Sequence, residues 1–114
     1  MKREMRGTME PEIRIIAPQG RLDAAGAQPL EVELKQRIAA GETRLIVDFQ
    51  ETRYIGSNGL RVLLAALKQA QEQGGALKLC GLIARLKEIF VMAGFDRVFE
   101  IFETREDAEK SFRN

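Results

Sequence analysis

Short apolar runs alternate with amphipathic segments along the whole chain, and this alternation constrains the fold more than any other feature. The run 45–49 (Leu-Ile-Val-Asp-Phe) has the nearly continuous apolar character of a strand that is covered on both faces of a parallel sheet. Similar β-rich runs occupy 12–17, 76–80 and 98–102. The segments between them are long enough to cross from one parallel strand to the next. The sequence therefore predicts an α/β fold: a four- to five-stranded, mainly parallel sheet with four helices packed on it, in a single domain.

The segments between these runs carry the periodicity of helices. In the first of them, Leu30, Leu34 and Ile38 recur every four residues and form one apolar stripe. The next two helices are predicted over 58–73 and 83–93, each closed by glycine. A fourth helix is predicted near the C-terminus.

The chain of 114 residues has the size of one ordinary domain. We predict that residues 12–114 form this domain and that residues 1–11 form a weakly ordered segment or a short edge strand. Residues 1–6 include basic side chains, but no apolar stretch follows them, so a signal peptide is not expected. No apolar run approaches the ~18 residues that span a membrane. The expectation is a cytoplasmic protein without membrane insertion.

Composition argues against several classes of activity. The chain has no histidine, and so lacks the usual general base and the commonest metal ligand. Cys80 is the only cysteine and lies in a predicted buried strand, where a small core side chain is a better interpretation than a reactive thiol. The 18 Lys and Arg balance 17 Asp and Glu, which does not indicate a nucleic-acid partner. We therefore expect no catalytic activity, no metal and no cofactor.

A glycine-rich turn, 56–59 (Gly-Ser-Asn-Gly), follows the run 45–49 and opens the second helix. This places Ser57 where free N–H groups and the helix dipole favour negative charge, so a phosphate on its hydroxyl would be tolerated. Serine is also among the best N-cap residues, and capping alone would explain its presence there. Asp23 is open to the same two interpretations, because it could simply hydrogen-bond the turn after Gly20.

Three motifs in this order resemble the STAS family, which comprises anti-sigma-factor antagonists and the related cytosolic domains of sulfate transporters. They are Gly20-Arg21-Leu22-Asp23, the strand 45–49, and 54–60 (Tyr-Ile-Gly-Ser-Asn-Gly-Leu). The resemblance extends over roughly residues 12–112 and includes the later landmarks at 74–80 and 89–95.

The resemblance implies a regulator that acts by partner switching. The unphosphorylated module would bind an anti-sigma factor with serine-kinase activity and so release a sigma factor. The kinase would then phosphorylate Ser57 and end the binding, and a serine phosphatase would restore it. The resemblance further implies a partner-binding surface made of Asp23, Ile55, Gly56, Asn58, Gly59, Leu60 and Arg61.

The chain departs from the family pattern at one position beside the acceptor. The family usually carries Asp immediately before the serine, and this chain has Gly56. The change removes a negative charge next to Ser57 and favours a second hypothesis, in which the module is a non-phosphorylated adaptor subunit of a lipid-transport ATPase or a signalling complex.

Overall fold

The structure is a computed structural model that describes residues 12–113. The prediction made for residues 1–11 lies outside this range. The elements in chain order are β1 (Ile13–Ile16), β2 (Gly20–Leu22), α1 (Ala27–Ala39), β3 (Arg44–Asp48), β4 (Thr52–Ile55), α2 (Ser57–Glu72), β5 (Ala76–Cys80), α3 (Ala84–Met92), a 3-10 turn (Phe95–Arg97), β6 (Ile101–Phe102) and α4 (Arg105–Arg113). The predicted α/β class and the four predicted helices are confirmed, and the ends of the two helices predicted with bounds, 58–73 and 83–93, each differ from the observed ends by one residue.

The central sheet has four parallel strands in the order β1-β3-β5-β6. In β3, one of its two inner strands, Leu45, Ile46 and Val47 are fully buried because both faces of the sheet are covered. Leu45 and Val47 point into the main core with the apolar stripes of α1, α2 and α3. Ile46 points to the opposite face, where α4 covers the sheet through Ala108.

β2 and β4 form a second, two-stranded parallel sheet, so the predicted single sheet is realised as four strands plus a separate pair. The register of this pair contains a bulge: Gly20 lies opposite Thr52, but Arg21 lies opposite Tyr54, which leaves Arg53 as the extra residue. The bulged end is anchored by the buried Thr52 hydroxyl, which donates to the Pro18 carbonyl at 2.7 Å. Neither β2 nor β4 was predicted, because their three and four residues carry no clear alternation or apolar run.

The last strand is shorter than predicted: only residues 101–102 pair with β5, rather than 98–102. The apolar residues before it pack as aromatic rings instead of alternating across a strand. Phe90, Phe95 and Phe99 form a row with ring centroids 6.0 and 5.5 Å apart. Phe99 is thereby buried at the end of the core while Val98 faces solvent.

An ion pair fastens α4 to the carboxyl end of β3. Asp48 is only 3% exposed, and its Oδ2 accepts a hydrogen bond from Arg105 Nε at 3.0 Å and lies 3.0 Å from Arg105 Nη2 in the same ion pair. The other oxygen accepts from the Gln50 N–H at 3.0 Å. Both oxygens of this buried carboxylate therefore have partners, as burial of a charge requires.

We expect Arg105→Met to lower the free energy of unfolding by about 1–2 kcal/mol, because it leaves the buried Asp48 carboxylate without its cation. Urea denaturation followed by circular dichroism measures this loss. Lys110→Met, at an exposed position of the same helix, removes the same charge and should change stability by less than about 0.5 kcal/mol. Equal effects of the two substitutions would show that the ion pair contributes nothing.

Candidate functional site

The β2–β4 pair brings the two motifs of the sequence analysis to one edge of the molecule. The last residue of β2, Leu22, accepts a hydrogen bond through its carbonyl from the Gly56 N–H at 3.1 Å. Asp23 follows Leu22 directly, and Ser57 follows Gly56. The loop after β2 and the start of α2 are therefore neighbours, although more than thirty residues separate them in the chain.

Ser57 is the first residue of α2 and is exposed to solvent. The N-cap position belongs to Gly56, whose backbone is extended (φ −108°) and which has no side chain to cap the helix. Within residues 12–113 the Ser57 hydroxyl has no hydrogen-bond partner. The capping interpretation of this serine is therefore wrong, and its hydroxyl is open to another molecule.

The other serine and threonine hydroxyls of the described residues are occupied or buried. The Ser111 hydroxyl donates to the Ala108 carbonyl at 2.7 Å and accepts from Lys78 Nζ at 2.8 Å. The Thr104 hydroxyl accepts from the Asp107 N–H at 3.0 Å as a helix cap. Thr52 and Thr43 are buried. Over residues 12–113, Ser57 is thus the serine or threonine that combines exposure with a free hydroxyl.

Asp23 is half exposed and has both a structural contact and a free side. Its Oδ1 accepts a hydrogen bond from the Gly26 N–H at 2.9 Å, which shapes the turn between β2 and α1. Its Oδ2 lies 3.9 Å from Arg21 Nε and otherwise faces solvent. The turn-forming interpretation of Asp23 is therefore confirmed, and its second carboxylate oxygen has only the long contact with Arg21.

The remaining predicted residues divide into a surface and its support. Ile55 is 1% exposed and Gly59 is buried, so both lie beneath the surface, where the Ile55 side chain packs against the Gly59 backbone at the start of α2. Asn58 and Arg61 are exposed, and Arg61 Nη1 donates to Asn58 Oδ1 at 3.2 Å. Leu60 is half-buried. We use the term turn surface for Asp23, Gly56, Ser57, Asn58, Leu60 and Arg61.

Gly59 is required by close packing. A Cβ at this position would lie 2.7 Å from Ile55 Cγ1 and 3.2 Å from the Leu22 carbonyl oxygen. Both neighbours are fixed, since Ile55 is in the core and the Leu22 carbonyl belongs to the β2–β4 pair. The contact sets the distance between the first turn of α2 and the loop that carries Asp23.

We predict that Gly59→Ala lowers the free energy of unfolding by about 1–2 kcal/mol through overpacking. The sign is informative, because glycine to alanine within a helix ordinarily stabilises by about 1 kcal/mol. Thermal or urea unfolding measures the change, and Gln69→Ala on the exposed side of the same helix is the control. A more stable Gly59→Ala variant would contradict the close packing described here.

Two residues beside the turn surface were not predicted from the sequence. The Arg21 guanidinium lies over the Tyr54 ring, 4.3 Å from its centroid. The Tyr54 hydroxyl in turn lies 3.1 Å from the position that a Cβ of residue 56 would occupy. The tyrosine therefore covers the side of the turn from which the family's aspartate would project. No signal in the sequence reveals this contact, because it depends on the β2–β4 bulge.

Cys80 lies on the other face of the sheet and has no access to solvent. Burial, with a further contribution from the negative charge of Asp48, raises the pKa of its thiol from 9.0 to about 12. Thiolate is the reactive form, so this cysteine is chemically inert near neutral pH. Its predicted role as a small core side chain is confirmed.

Iodoacetamide at about pH 8 should leave the native chain unmodified and label one cysteine per chain once guanidinium chloride unfolds it, as mass spectrometry can record. The same pKa shift has a consequence for stability. Above pH 9 the unfolded thiol ionises while the folded one stays protonated, so this contribution to stability is present below pH 9 and is lost as the pH rises toward 12. Rapid labelling of the native chain would contradict the burial of Cys80.

Comparison with known proteins identifies the family to which the chain belongs. The sequence profile of the STAS domain matches residues 6–108, and the chain belongs to the STAS domain family. It is 38% identical over 95 residues to the anti-sigma factor antagonist BtrV of Bordetella bronchiseptica, covering 83% of this chain and 82% of BtrV. It is 27% identical over 99 residues to the anti-sigma-F factor antagonist RsfB of Mycobacterium tuberculosis, covering 84% and 78% of the two chains.

Solved structures share the fold at lower identity. An anti-sigma factor antagonist of Thermotoga maritima superposes with a TM-score of 0.85 at 19% identity, over 90% of this chain and 88% of the other. The unphosphorylated antagonist SpoIIAA superposes with a TM-score of 0.70 at 18% identity, over 92% and 93%. Among the described residues, no helix is both long enough and apolar enough to cross a bilayer.

Proposed function

We propose that this chain is an anti-sigma-factor antagonist that acts by partner switching from the turn surface. In its unphosphorylated form it binds an anti-sigma factor with serine-kinase activity, and phosphorylation of Ser57 ends that binding. The names of BtrV and RsfB support the class of partner. The observation that carries the proposal is the exposed, unbonded Ser57 hydroxyl at the start of α2.

The local physics supports Ser57 as the phosphate acceptor. The first N–H groups of a helix have no partner within the helix, and the helix dipole adds partial positive charge there. A phosphate brings about −1.5 to −2 charges and three acceptor oxygens. It would thus be accommodated without unfolding α2, while the charge that a partner meets at this surface would change sharply.

The switch needs no catalysis by this chain. The transferred phosphoryl group comes from the kinase, and a serine phosphatase returns the module to its binding form. Asp23, Asn58, Leu60 and Arg61 would contact the partner around Ser57, whereas Ile55 and Gly59 would act by holding these residues in place. Such a cycle belongs to the cytoplasm, where ATP, kinase and sigma factor are available.

The comparisons do not favour the adaptor hypothesis. The curated relatives named above are antagonists of anti-sigma factors, not subunits of transporters. The absence of aspartate before Ser57 leaves the acceptor hydroxyl exposed, so this departure from the family pattern does not remove the site.

Incubation with the kinase-type anti-sigma factors of the source organism and labelled ATP should place one phosphate on the chain, at Ser57. We expect Ser57→Ala to abolish labelling, because it removes the free hydroxyl. Ser111→Ala is the matched control, since it removes the chain's other serine and should leave labelling unchanged. Labelling that persists in Ser57→Ala, located by mass spectrometry, would assign the phosphate elsewhere. Binding of the same anti-sigma factors to Ser57→Asp, measured by calorimetry, should be at least tenfold weaker than to wild type.

A further inference from the structure

We propose that Arg21, held in place by Tyr54, is the residue through which this chain selects its partner, and that the partner presents an acidic side chain to it. The inference rests on the proposed function and adds to it the chemistry of the complementary surface. Neither residue belongs to the turn surface expected from the sequence.

The bulge in the β2–β4 pair creates the arrangement. With an uninterrupted register from Gly20 opposite Thr52, Arg21 would lie opposite Arg53, and two like charges would face each other. The extra residue shifts the register by one and places Arg21 opposite Tyr54 instead. Bulges re-aim side chains in this way at functional edges of sheets.

Tyr54 fixes the direction of the Arg21 side chain. The guanidinium carbon lies 4.3 Å from the ring centroid, within the range of a favourable cation–π contact. The same ring lies over Gly56, with its hydroxyl and Cε2 3.1 and 3.3 Å from the Cβ position of residue 56. Gly56 has an extended backbone that any residue can adopt. Glycine at position 56 is therefore explained by the nearby tyrosine, which a side chain would contact, and not by the backbone conformation.

The positive charge of this surface favours an acidic partner. Arg21 is 63% exposed, and its ion pair within the described residues is the long 3.9 Å contact with the half-exposed Asp23, which contributes little. Arg61 adds a second exposed cation on the helix side of Ser57. The turn surface with Arg21 thus carries two arginines against one aspartate. An aspartate at position 56 would cancel this excess, and this chain lacks it.

The same charges explain how a phosphate could end binding. A phosphate on Ser57 carries more negative charge than the surface has positive excess, so it reverses the sign that the partner meets. It also competes for the Arg21 guanidinium, which prefers bidentate contact with phosphate or carboxylate. An acidic group of the partner would then face a surface of its own sign.

The test measures binding of the kinase-type anti-sigma factors of the source organism to the full chain by calorimetry without ATP. We expect Arg21→Glu to weaken binding about tenfold or more, and Tyr54→Leu about two- to fivefold through loss of positioning, while Tyr54→Phe keeps the ring and binds as wild type. Gly56→Asp should weaken binding more than Gly56→Ala, because both crowd the Tyr54 ring but only the carboxylate offsets the charge of Arg21. Arg113→Glu, at an exposed position of α4 on the other face of the sheet, is the charge-matched control and should bind normally.

The variants also give a readout that loss of structure would not produce. Raising the salt concentration should weaken wild-type binding more than that of Arg21→Glu, since exposed charge pairs are screened. An acidic-to-arginine substitution on the partner should restore binding to Arg21→Glu. Circular dichroism and thermal unfolding establish that each variant is folded.

The outcomes separate the two proposals. If wild type binds and Arg21→Glu and Gly56→Asp bind equally well, Arg21 does not select the partner and the proposed function stands. If no anti-sigma factor of the organism binds wild type, the proposed function fails, and this inference fails with it.

Discussion

The hydrogen bond from the Gly56 N–H to the Leu22 carbonyl is the interaction on which the candidate site depends. It joins two short strands outside the main sheet and brings a loop from the first quarter of the chain to the start of α2. The buried Ile55 and the close contact at Gly59 make this junction rigid. Without it, Asp23 and Ser57 would be unrelated surface residues on separate segments, and no single partner surface would include both.

The main sheet and its helices support this junction. Its inner strand β3 is covered on one face by three helices and on the other by α4, which the Asp48–Arg105 ion pair holds in place. The inert Cys80 thiol lies in the interior, whereas the exposed polar groups of the turn surface lie at one edge of the molecule. That edge is accessible to another protein.

Sequence patterns predicted the parts of the fold that have many residues per element. The apolar run at 45–49 and the four-residue spacing of Leu30, Leu34 and Ile38 were sufficient to predict the sheet and its first helix. The pairing of β2 with β4 was not predictable, because three or four residues do not establish a period, and the bulge that places Arg21 on Tyr54 depends on that pairing. Ser57 was expected near a helix start, but whether it or Gly56 is the cap is a difference of one residue, which sequence cannot resolve.

The rigid junction has a consequence for how a modifying enzyme would recognise the acceptor. Ser57 lies on a helix whose first turn is packed against β2, so the groups around it are supplied by its neighbours in 56–61 and also by the distant segment that carries Arg21 and Asp23. A kinase acting here would recognise a conformational epitope. A short synthetic peptide with the same residues would present neither Asp23 nor Arg21 in place, and searches for substrates by linear consensus would overlook sites of this kind.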